Sequence, residues 1–361
     1  MIGVVVGAAV SLLVVLLGMP AFIRYLQAKR YGQYIRDDGP TSHHVKLGTP
    51  TMGGFVIVVA AVLGYVAALL ARWEPPSWTG VLLMFLMVGM GAIGFADDYL
   101  KIARKHNLGL TSVQKLIAQF TVATVFAVLA LQFPNADGVT PASTAISWVR
   151  DTPFDLAAAG AVGGVLLFVL WAGLIIAGMS NGTNLTDGLD GLLTGLAAIV
   201  FAAYTLIAFF QFSQNCSMVD TGACYTVRDP LDVAVICASV AGACIGFLWW
   251  NASPAKIFMG DTGSLALGGA LAGVAIVTRT ELLVVVIAGV FVMETISVMI
   301  QVGSFKSTGK RVFKMTPIHH HFENGGWAET TVTIRFWLLV AISCGLAIAL
   351  FYGDWLASST G

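Results

Sequence analysis

The sequence is poor in charged residues and in cysteine. Asp, Glu, Lys and Arg make up 11% of its 361 residues, whereas a soluble domain carries roughly 25%. The nineteen basic and nineteen acidic residues cancel to a formal charge of zero, so no overall basic field exists to hold nucleic acid. Five cysteines in a chain of this length do not make a disulfide scaffold. These shortages argue against a soluble, a nucleic-acid-binding or a disulfide-rich protein.

Long apolar runs take up most of the chain. Hydrophobic residues make up 57% of it, and forty glycines favour helices that pack closely in a membrane. A helix needs about 20 mostly apolar residues to cross the hydrocarbon layer. Such runs lie near residues 3–22, 53–72, 79–96, 113–133, 157–179, 192–212, 231–250, 264–280, 282–303 and 333–353. The pattern predicts one all-α domain over residues 1–361, a polytopic integral membrane protein with about ten transmembrane helices.

The basic residues predict how these helices are oriented. Fifteen Lys and Arg residues fall in one set of alternate loops and only four in the other set. Because cytoplasmic loops carry the excess of Lys and Arg, the first set is expected in the cytoplasm and both chain ends in the periplasm. Nearly every dense polar segment falls on the cytoplasmic set, so we expect the functional cleft on that face.

One polar segment follows the third run. Asp97 and Asp98 are adjacent at its end, and Lys101, Arg104 and Lys105 come next at helical spacing. Adjacent carboxylates repel each other unless a cation or a proton lies between them. A Mg²⁺ ion that holds substrate phosphates needs one or two carboxylates. The alternative is a helix end that extends its charged side chains into water.

A second segment, NGTNLTDGLDGL, covers residues 181–192. Asn181, Asn184, Asp187 and Asp190 recur at intervals of three, which keeps them near one face of a helix. A capped polar turn would explain one Asn and one Asp. Four such polar residues at regular spacing between two apolar runs favour a binding site.

A third segment comes after the seventh run. Asn251, Lys256 and Asp261 are its polar groups, and Gly260 precedes Asp261 at the start of an apolar helix. The sequence is compatible with simple helix capping. A helix start also points free N–H groups at nearby anions. Asp261 is therefore a further candidate metal ligand.

Two further loops on the same side carry histidines. His319, His320 and His321 are consecutive, which is the wrong spacing for a helical zinc site and fits proton transfer or phosphate chemistry better. The first loop contains Lys46 and Thr51 just before the second run, where they can contact a diphosphate or belong to a capped helix.

Two polar residues lie inside the ninth run. Glu294 and Gln301 are seven residues apart, so they share one face of a helix. Polar groups at such depth indicate either a functional path or hydrogen bonds between helices.

Carboxylates, basic residues and an all-membrane scaffold together indicate phosphoryl transfer between a soluble nucleotide-linked donor and a lipid. The alternative from another class is an ion-coupled transporter with Glu294 and Gln301 in its path. A transporter would place its charges near the middle of the bilayer, whereas most charges here lie at one edge.

The segments also resemble a known family. ADDYLK at 96–101, NGTNLTDGLDGL at 181–192, KIFMGDTGSLALGG at 256–269 and TPIHHHFE at 316–323 are similar to those of the phospho-N-acetylmuramoyl-pentapeptide-transferase family. The similarity extends over essentially the whole chain, including PTMGG at 50–54 and ETISVMIQV at 294–302. The aspartate motifs are shared by the wider superfamily of polyprenyl-phosphate sugar-phosphate transferases, and the histidine segment is the narrower signal.

The resemblance implies a Mg²⁺-dependent transfer of phospho-MurNAc-pentapeptide from UDP-MurNAc-pentapeptide to undecaprenyl phosphate, giving lipid I and UMP. It also implies a homodimer in the bacterial inner membrane, and an alternative donor is UDP-GlcNAc. The implied catalytic residues are Asp97, Asp98, Asp261 and His319, and the implied Mg²⁺ ligands are Asp98, Asp187 and Asp261. The implied substrate-binding residues are Lys46, Thr51, Lys101, Asn181, Asn184, Asp187, Asp190, Asn251, Phe258, Gly260, His320 and His321.

The cysteines fall into two groups. Cys216 and Cys224 lie in a loop on the expected periplasmic side, where a disulfide is permitted, although two free thiols fit the sequence equally well. Cys237, Cys244 and Cys344 lie inside apolar runs and are expected to be unpaired.

Overall fold

The structure, a computed structural model, describes residues 1–29, 48–104, 109–219 and 222–360. The described residues form twelve α-helices and one antiparallel hairpin. The helices are α1 (Ile2–Ala28), α2 (Gly54–Arg72), α3 (Trp78–Arg104), α4 (Ser112–Ala130), α5 (Ala161–Thr186), α6 (Leu192–Ser213), α7 (Pro230–Asn251), α8 (Gly260–Val277), α9 (Val284–Ile287), α10 (Gly289–Thr308), α11 (Ile318–Glu323) and α12 (Glu329–Thr360). The hairpin consists of β1 (Ala145–Ser147) and β2 (Asp151–Asp155).

The helices confirm a polytopic all-α membrane protein. Within the described ranges, nine helices, α1 to α8 and α12, are long and apolar enough to cross a bilayer. The expected ninth span, near 282–303, is not among them. It breaks at Ala288, whose ψ of 23° leaves the helical range, into the short α9 and the more polar α10. The hairpin β1–β2 lies in the connection between α4 and α5, outside these helices.

Helices α7 and α8 form the centre of the molecule. Helix α8 packs against α2, α3 and α5, and α7 packs against α1, α2 and α6. Glycines allow these approaches: a methyl group at Gly54 would overlap the backbone of Gly263, and one at Gly94 would overlap the carbonyl of Asp261. Small residues at such contacts let helix backbones come close in a membrane. The contact at Gly94 brings α3 directly against the first turn of α8.

Replacing Gly94 by Ala should separate α3 from α8. The new methyl group meets backbone atoms that cannot rotate away, so we expect a destabilisation of about 1–3 kcal/mol and a lower melting temperature of the purified protein. The matched control is Gly178→Ala on α5, where a methyl group meets nothing within 4 Å. Equal melting temperatures of both variants and the unmodified protein would contradict this account of the helix contact.

A disulfide closes the loop between α6 and α7. Cys216 and Cys224 are bonded, with their Cα atoms 4.9 Å apart, while Cys237, Cys244 and Cys344 are free and buried, as expected. Arg150 of the hairpin connects this loop to α12. Its guanidinium donates to the carbonyls of Ala223 and Cys224 and pairs with Asp354 at 2.9 Å. The loop, the hairpin and the end of α12 therefore form one cap on this side of the protein.

Replacing Cys216 and Cys224 together by Ser should leave turnover within about twofold, because sites that share no partners act independently. The loop spans only eight residues, so opening it should cost stability of roughly 2–3 kcal/mol in the entropy model. Turnover and melting temperature of the double variant separate the two effects. Loss of most activity in a well-folded variant would show that this cap is coupled to the functional cleft expected from the sequence.

Candidate active site

The end of α3 meets the start of α8 through the carboxylate of Asp98. This side chain is 4% exposed. It accepts hydrogen bonds from the backbone N–H of Asp261 at 3.1 Å, from the N–H of Thr262 at 2.9 Å and from the Thr262 hydroxyl at 2.7 Å. The first N–H groups of a helix lack partners within the helix, and its dipole favours a negative charge there. Asp98 therefore caps α8 from a neighbouring helix and fixes the position of Asp261.

Asp97 is held by the segment after α3. One carboxylate oxygen accepts the N–H of Leu110 at 2.8 Å, and the other lies 2.6 Å from the ammonium of Lys101. Gly109 passes so close to this carboxylate that a methyl group there would lie 2.5 Å from it. Asp97 is 1% exposed, and these contacts orient it towards Asp261.

Asp261 is at the centre of the cluster. Lys115 Nζ and Lys101 Nζ lie 2.7 and 3.0 Å from one of its carboxylate oxygens, and Asn184 donates to the other oxygen at 2.8 Å. Lys115 also lies 3.5 Å from Asp97. Two lysines thus share the charge of these carboxylates. The sequence predicted Lys101 here but not Lys115, whose only signal is that it is a lone cation in the first turn of an apolar helix.

The carboxylates of Asp97, Asp98 and Asp261 are close enough to hold a cation. Their oxygen atoms lie within 4.8 Å of one another. Hard divalent cations prefer such oxygen ligands, and a cation would relieve the repulsion that the lysines now balance. Asp187 was also expected as a ligand but is not in this group of described residues, so that role stays a prediction.

Asp187 lies next to the cluster, where α5 ends. Its carboxylate accepts the backbone N–H of Gly260. Burial, together with the negative charges of Asp261 and Asp98, raises its pKa to about 8. A bound cation would oppose this effect, because it favours the charged carboxylate.

The other residues predicted to bind substrate differ in the contacts that they make. Thr51 and Phe258 border the start of α8: the N–H of Phe258 donates to the carbonyl of Pro50 at 2.8 Å, and the Thr51 hydroxyl lies 3.1 Å from where a side chain at Gly260 would begin. The Asn181 amide donates to Gln119 of α4 at 3.0 Å. Lys46 lies outside the described residues.

Asp190 and Asn251 both stabilise the backbone around the cluster. Asp190 accepts the N–H of Ala255 at 3.0 Å. Asn251 is 3% exposed; its carbonyl oxygen accepts from Gly191 and Thr194, and its amide donates to the carbonyl of Ile257 at 3.0 Å. In this structure both residues connect the turn after α5 to the segment before α8, an internal role that the spacing of the sequence does not reveal.

The three histidines have three different environments. His319 is fully buried and pairs with Glu294 of α10 at 3.0 Å, with its ring packed against Gly188. His320 Nδ1 lies 2.6 Å from Glu323, and His321 accepts the N–H of Lys314 at 3.1 Å. Glu294, which the sequence left open as a path residue or a contact between helices, makes a contact between helices here.

Comparison with known proteins agrees with this arrangement. Residues 78–279 match the model of glycosyl transferase family 4. The phospho-N-acetylmuramoyl-pentapeptide-transferase of Kineococcus radiotolerans is 58% identical over 360 residues, covering 99% of both chains. The enzymes of that name from Paenarthrobacter aurescens and Beutenbergia cavernae are 57% and 55% identical, also over 99% of each chain. The chain therefore belongs to glycosyl transferase family 4 and, within it, to the phospho-N-acetylmuramoyl-pentapeptide-transferases.

Proposed function

We propose that the protein transfers phospho-MurNAc-pentapeptide from UDP-MurNAc-pentapeptide to undecaprenyl phosphate, forming lipid I and releasing UMP. The observation that carries the proposal is the cluster of Asp97, Asp98 and Asp261 with Lys101 and Lys115, in a chain that matches enzymes of this name over its full length. The substrates are a nucleotide diphosphate and a lipid phosphate, and their reaction needs cations, carboxylates and access from the membrane.

In the reaction an oxygen of the lipid phosphate forms a bond to the sugar-linked phosphorus, and the bond from that phosphorus to the UMP oxygen breaks. Lys101 and Lys115 are placed to bind phosphate oxygens once these replace the carboxylate of Asp261 as partners of their ammonium groups. Asp97 or Asp98 would accept a proton from the lipid phosphate or help to hold the metal. Direct attack and a covalent aspartyl intermediate are both compatible with this cluster.

We propose Mg²⁺ as the cofactor, held by Asp261 with Asp97 and Asp98. When bound, it supplies positive charge for the diphosphate and the leaving UMP. Asp98 is already bound to the start of α8, so its contribution is chiefly to orient Asp261. Asn184 donates to Asp261 and Ser264 and keeps the carboxylate facing the other two.

We also propose binding roles for the remaining residues that the family resemblance implies. Asn184, Asp187, Phe258 and Gly260 lie around the start of α8 and are proposed to bind the uridine diphosphate. We further propose that the following residues bind substrate directly or by holding the surrounding backbone: Lys46, Thr51, Asn181, Asp190, Asn251, His320 and His321. For His319 we propose a catalytic role.

We propose that the protein lies in the bacterial inner membrane as one domain, with the carboxylate cluster facing the cytoplasm and both termini in the periplasm. A homodimer is proposed as its assembly. The distribution of Lys and Arg supports this orientation, and the Cys216–Cys224 bridge agrees with an oxidising compartment on the opposite side.

Reporter fusions should reveal this orientation. A reporter after Gly361 should behave as periplasmic, and one inserted near Lys310 should behave as cytoplasmic. Two reporters are fused at each position: alkaline phosphatase, which is active only in the periplasm, and a fluorescent protein, which is active only in the cytoplasm. The activity of each fusion gives the side of the membrane. Both termini in the periplasm require an even number of crossings, so α9 and α10 together would form a tenth crossing besides the nine spanning helices of the described ranges. A cytoplasmic C-terminus would contradict this tenth crossing.

The function itself is tested by UMP release from UDP-MurNAc-pentapeptide by the purified protein. We expect release only when both undecaprenyl phosphate and Mg²⁺ are present, together with a new lipid-soluble product. UDP-GlcNAc as the only accepted donor would assign the protein to a different transferase. Solute uptake into liposomes without consumption of either donor would favour a transporter instead.

A further inference from the structure

Three cations lie at the end of α10 and in the loop that follows it. Lys306, Lys310 and Arg311 are exposed, and in the described ranges none of them pairs with a carboxylate or stacks on an aromatic ring. Four other basic residues on the proposed cytoplasmic side do have such partners. These are Lys101 and Lys115 at the aspartates, Lys256 over Trp250 and Arg335 over Trp327.

The loop that carries two of these cations, residues 309–314, is fixed against α10. Gln301 Oε1 accepts the N–H groups of Val312 and Phe313, both at 3.0 Å, and its amide donates to the carbonyl of Phe313 at 3.0 Å. The Ser304 hydroxyl donates to the carbonyl of Lys310 at 3.0 Å. The loop therefore turns back beside the helix. Its cations are held near the helix end although no carboxylate of the described residues pairs with them.

The same surface is also apolar. On α10 an exposed set of large apolar side chains precedes the cations: Ile296, Met299, Ile300, Val302 and Phe305. Within the loop, Val312 is 55% exposed although it lies between Arg311 and Phe313. Apolar side chains followed by cations are typical of a segment at the boundary between acyl chains and lipid headgroups.

The positive charge of this segment indicates which lipid headgroups it can bind. No acidic residue lies between Glu294 and Glu323, and this stretch carries four Lys and Arg residues. Cations close to a bilayer surface are attracted to anionic lipids, and here no carboxylate of the stretch competes. We propose that the end of α10 and the loop 309–314 form a docking surface for the headgroups of anionic phospholipids. The proposal does not rest on the transferase activity.

The test uses the full-length protein in nanodiscs of phosphatidylcholine mixed equally with phosphatidylglycerol. The lipids that stay bound after release are measured by native mass spectrometry. The unmodified protein should retain phosphatidylglycerol in excess over phosphatidylcholine. The double variant Lys310→Gln with Arg311→Gln should lower this excess by about tenfold, the size expected for two screened cations at an anionic surface.

Two further variants keep the test specific. Arg24→Gln with Lys29→Gln removes the same charge from the end of α1, where both residues are exposed, and should lower the excess less than the loop variant does. Gln301→Ala keeps every charge but frees the loop, and it should lower the excess. The proposal is overturned if the unmodified protein shows no excess, if both double variants lose it equally, or if Gln301→Ala retains it in full.

Discussion

Turnover should fall by at least about a hundredfold when Asp261 is replaced by Asn, because one preorganised charge in such a site is worth several kcal/mol in the transition state. Asp261 contacts both lysines and Asn184, so its loss affects the proposed metal and the phosphate-binding cations together. An amide in its place still accepts a hydrogen bond from Asn184 but cannot balance two ammonium groups. Folding should therefore survive while the chemical step is lost.

The measurement is UMP release in detergent over a range of Mg²⁺ concentrations. Asp137→Asn is the matched control, since this exposed carboxylate lies in the loop after α4 and contacts only Asn135 in the described chain. Near-normal turnover of Asp261→Asn at saturating Mg²⁺ would exclude it as the principal metal ligand. Equal loss in both variants would point to a general effect of lost charge.

Asp98→Asn should be comparably damaging, by at least about a hundredfold in turnover, but for a partly different reason. The carboxylate uses both oxygens to accept hydrogen bonds from Asp261 and Thr262. An amide has one acceptor oxygen, and its NH₂ group would face a backbone N–H. Besides lost charge, we therefore expect a displaced first turn of α8 and a lower melting temperature.

Thermal unfolding distinguishes the two aspartates. Asp98→Asn should unfold at a lower temperature than Asp261→Asn, whose carboxylate makes no cap. The variant Thr262→Val is a useful partner, because it removes only the hydroxyl that donates to Asp98 and should lower stability without removing charge. Full activity of Asp98→Asn would rule out both the capping and the charge roles.

Much of the site could be predicted from the sequence because its charged residues lie within short motifs at the ends of apolar runs. Asp97 and Asp98 end one apolar run and Asp261 begins another, so hydropathy alone places them at the same membrane edge. Neighbouring carboxylates repel each other unless a cation or a proton lies between them, so their placement at one edge predicts a metal site. The structure brings these three together although Asp98 and Asp261 are 163 residues apart.

Other features depend on contacts that a sequence does not display. The sequence suggests that the Asn251 side chain binds substrate. In the structure it instead forms hydrogen bonds to the backbone of Gly191 and Ile257. His319 looked available for chemistry and is fully buried against Glu294. The break at Ala288 divides an apolar run that hydropathy counted as one span. In each case the partner lies in a distant segment or the deciding quantity is a backbone angle.

The central position of α8 has a consequence for the biogenesis of the protein. Among the nine spanning helices found in the described chain, α8 is the least hydropathic and the most deeply buried, so on its own it partitions weakly into lipid. Its main packing partners, α2, α3 and α5, all precede it in the sequence. When α8 leaves the ribosome, its binding groove is already in the membrane, and the carboxylate cluster can assemble before α9 to α12 are synthesised.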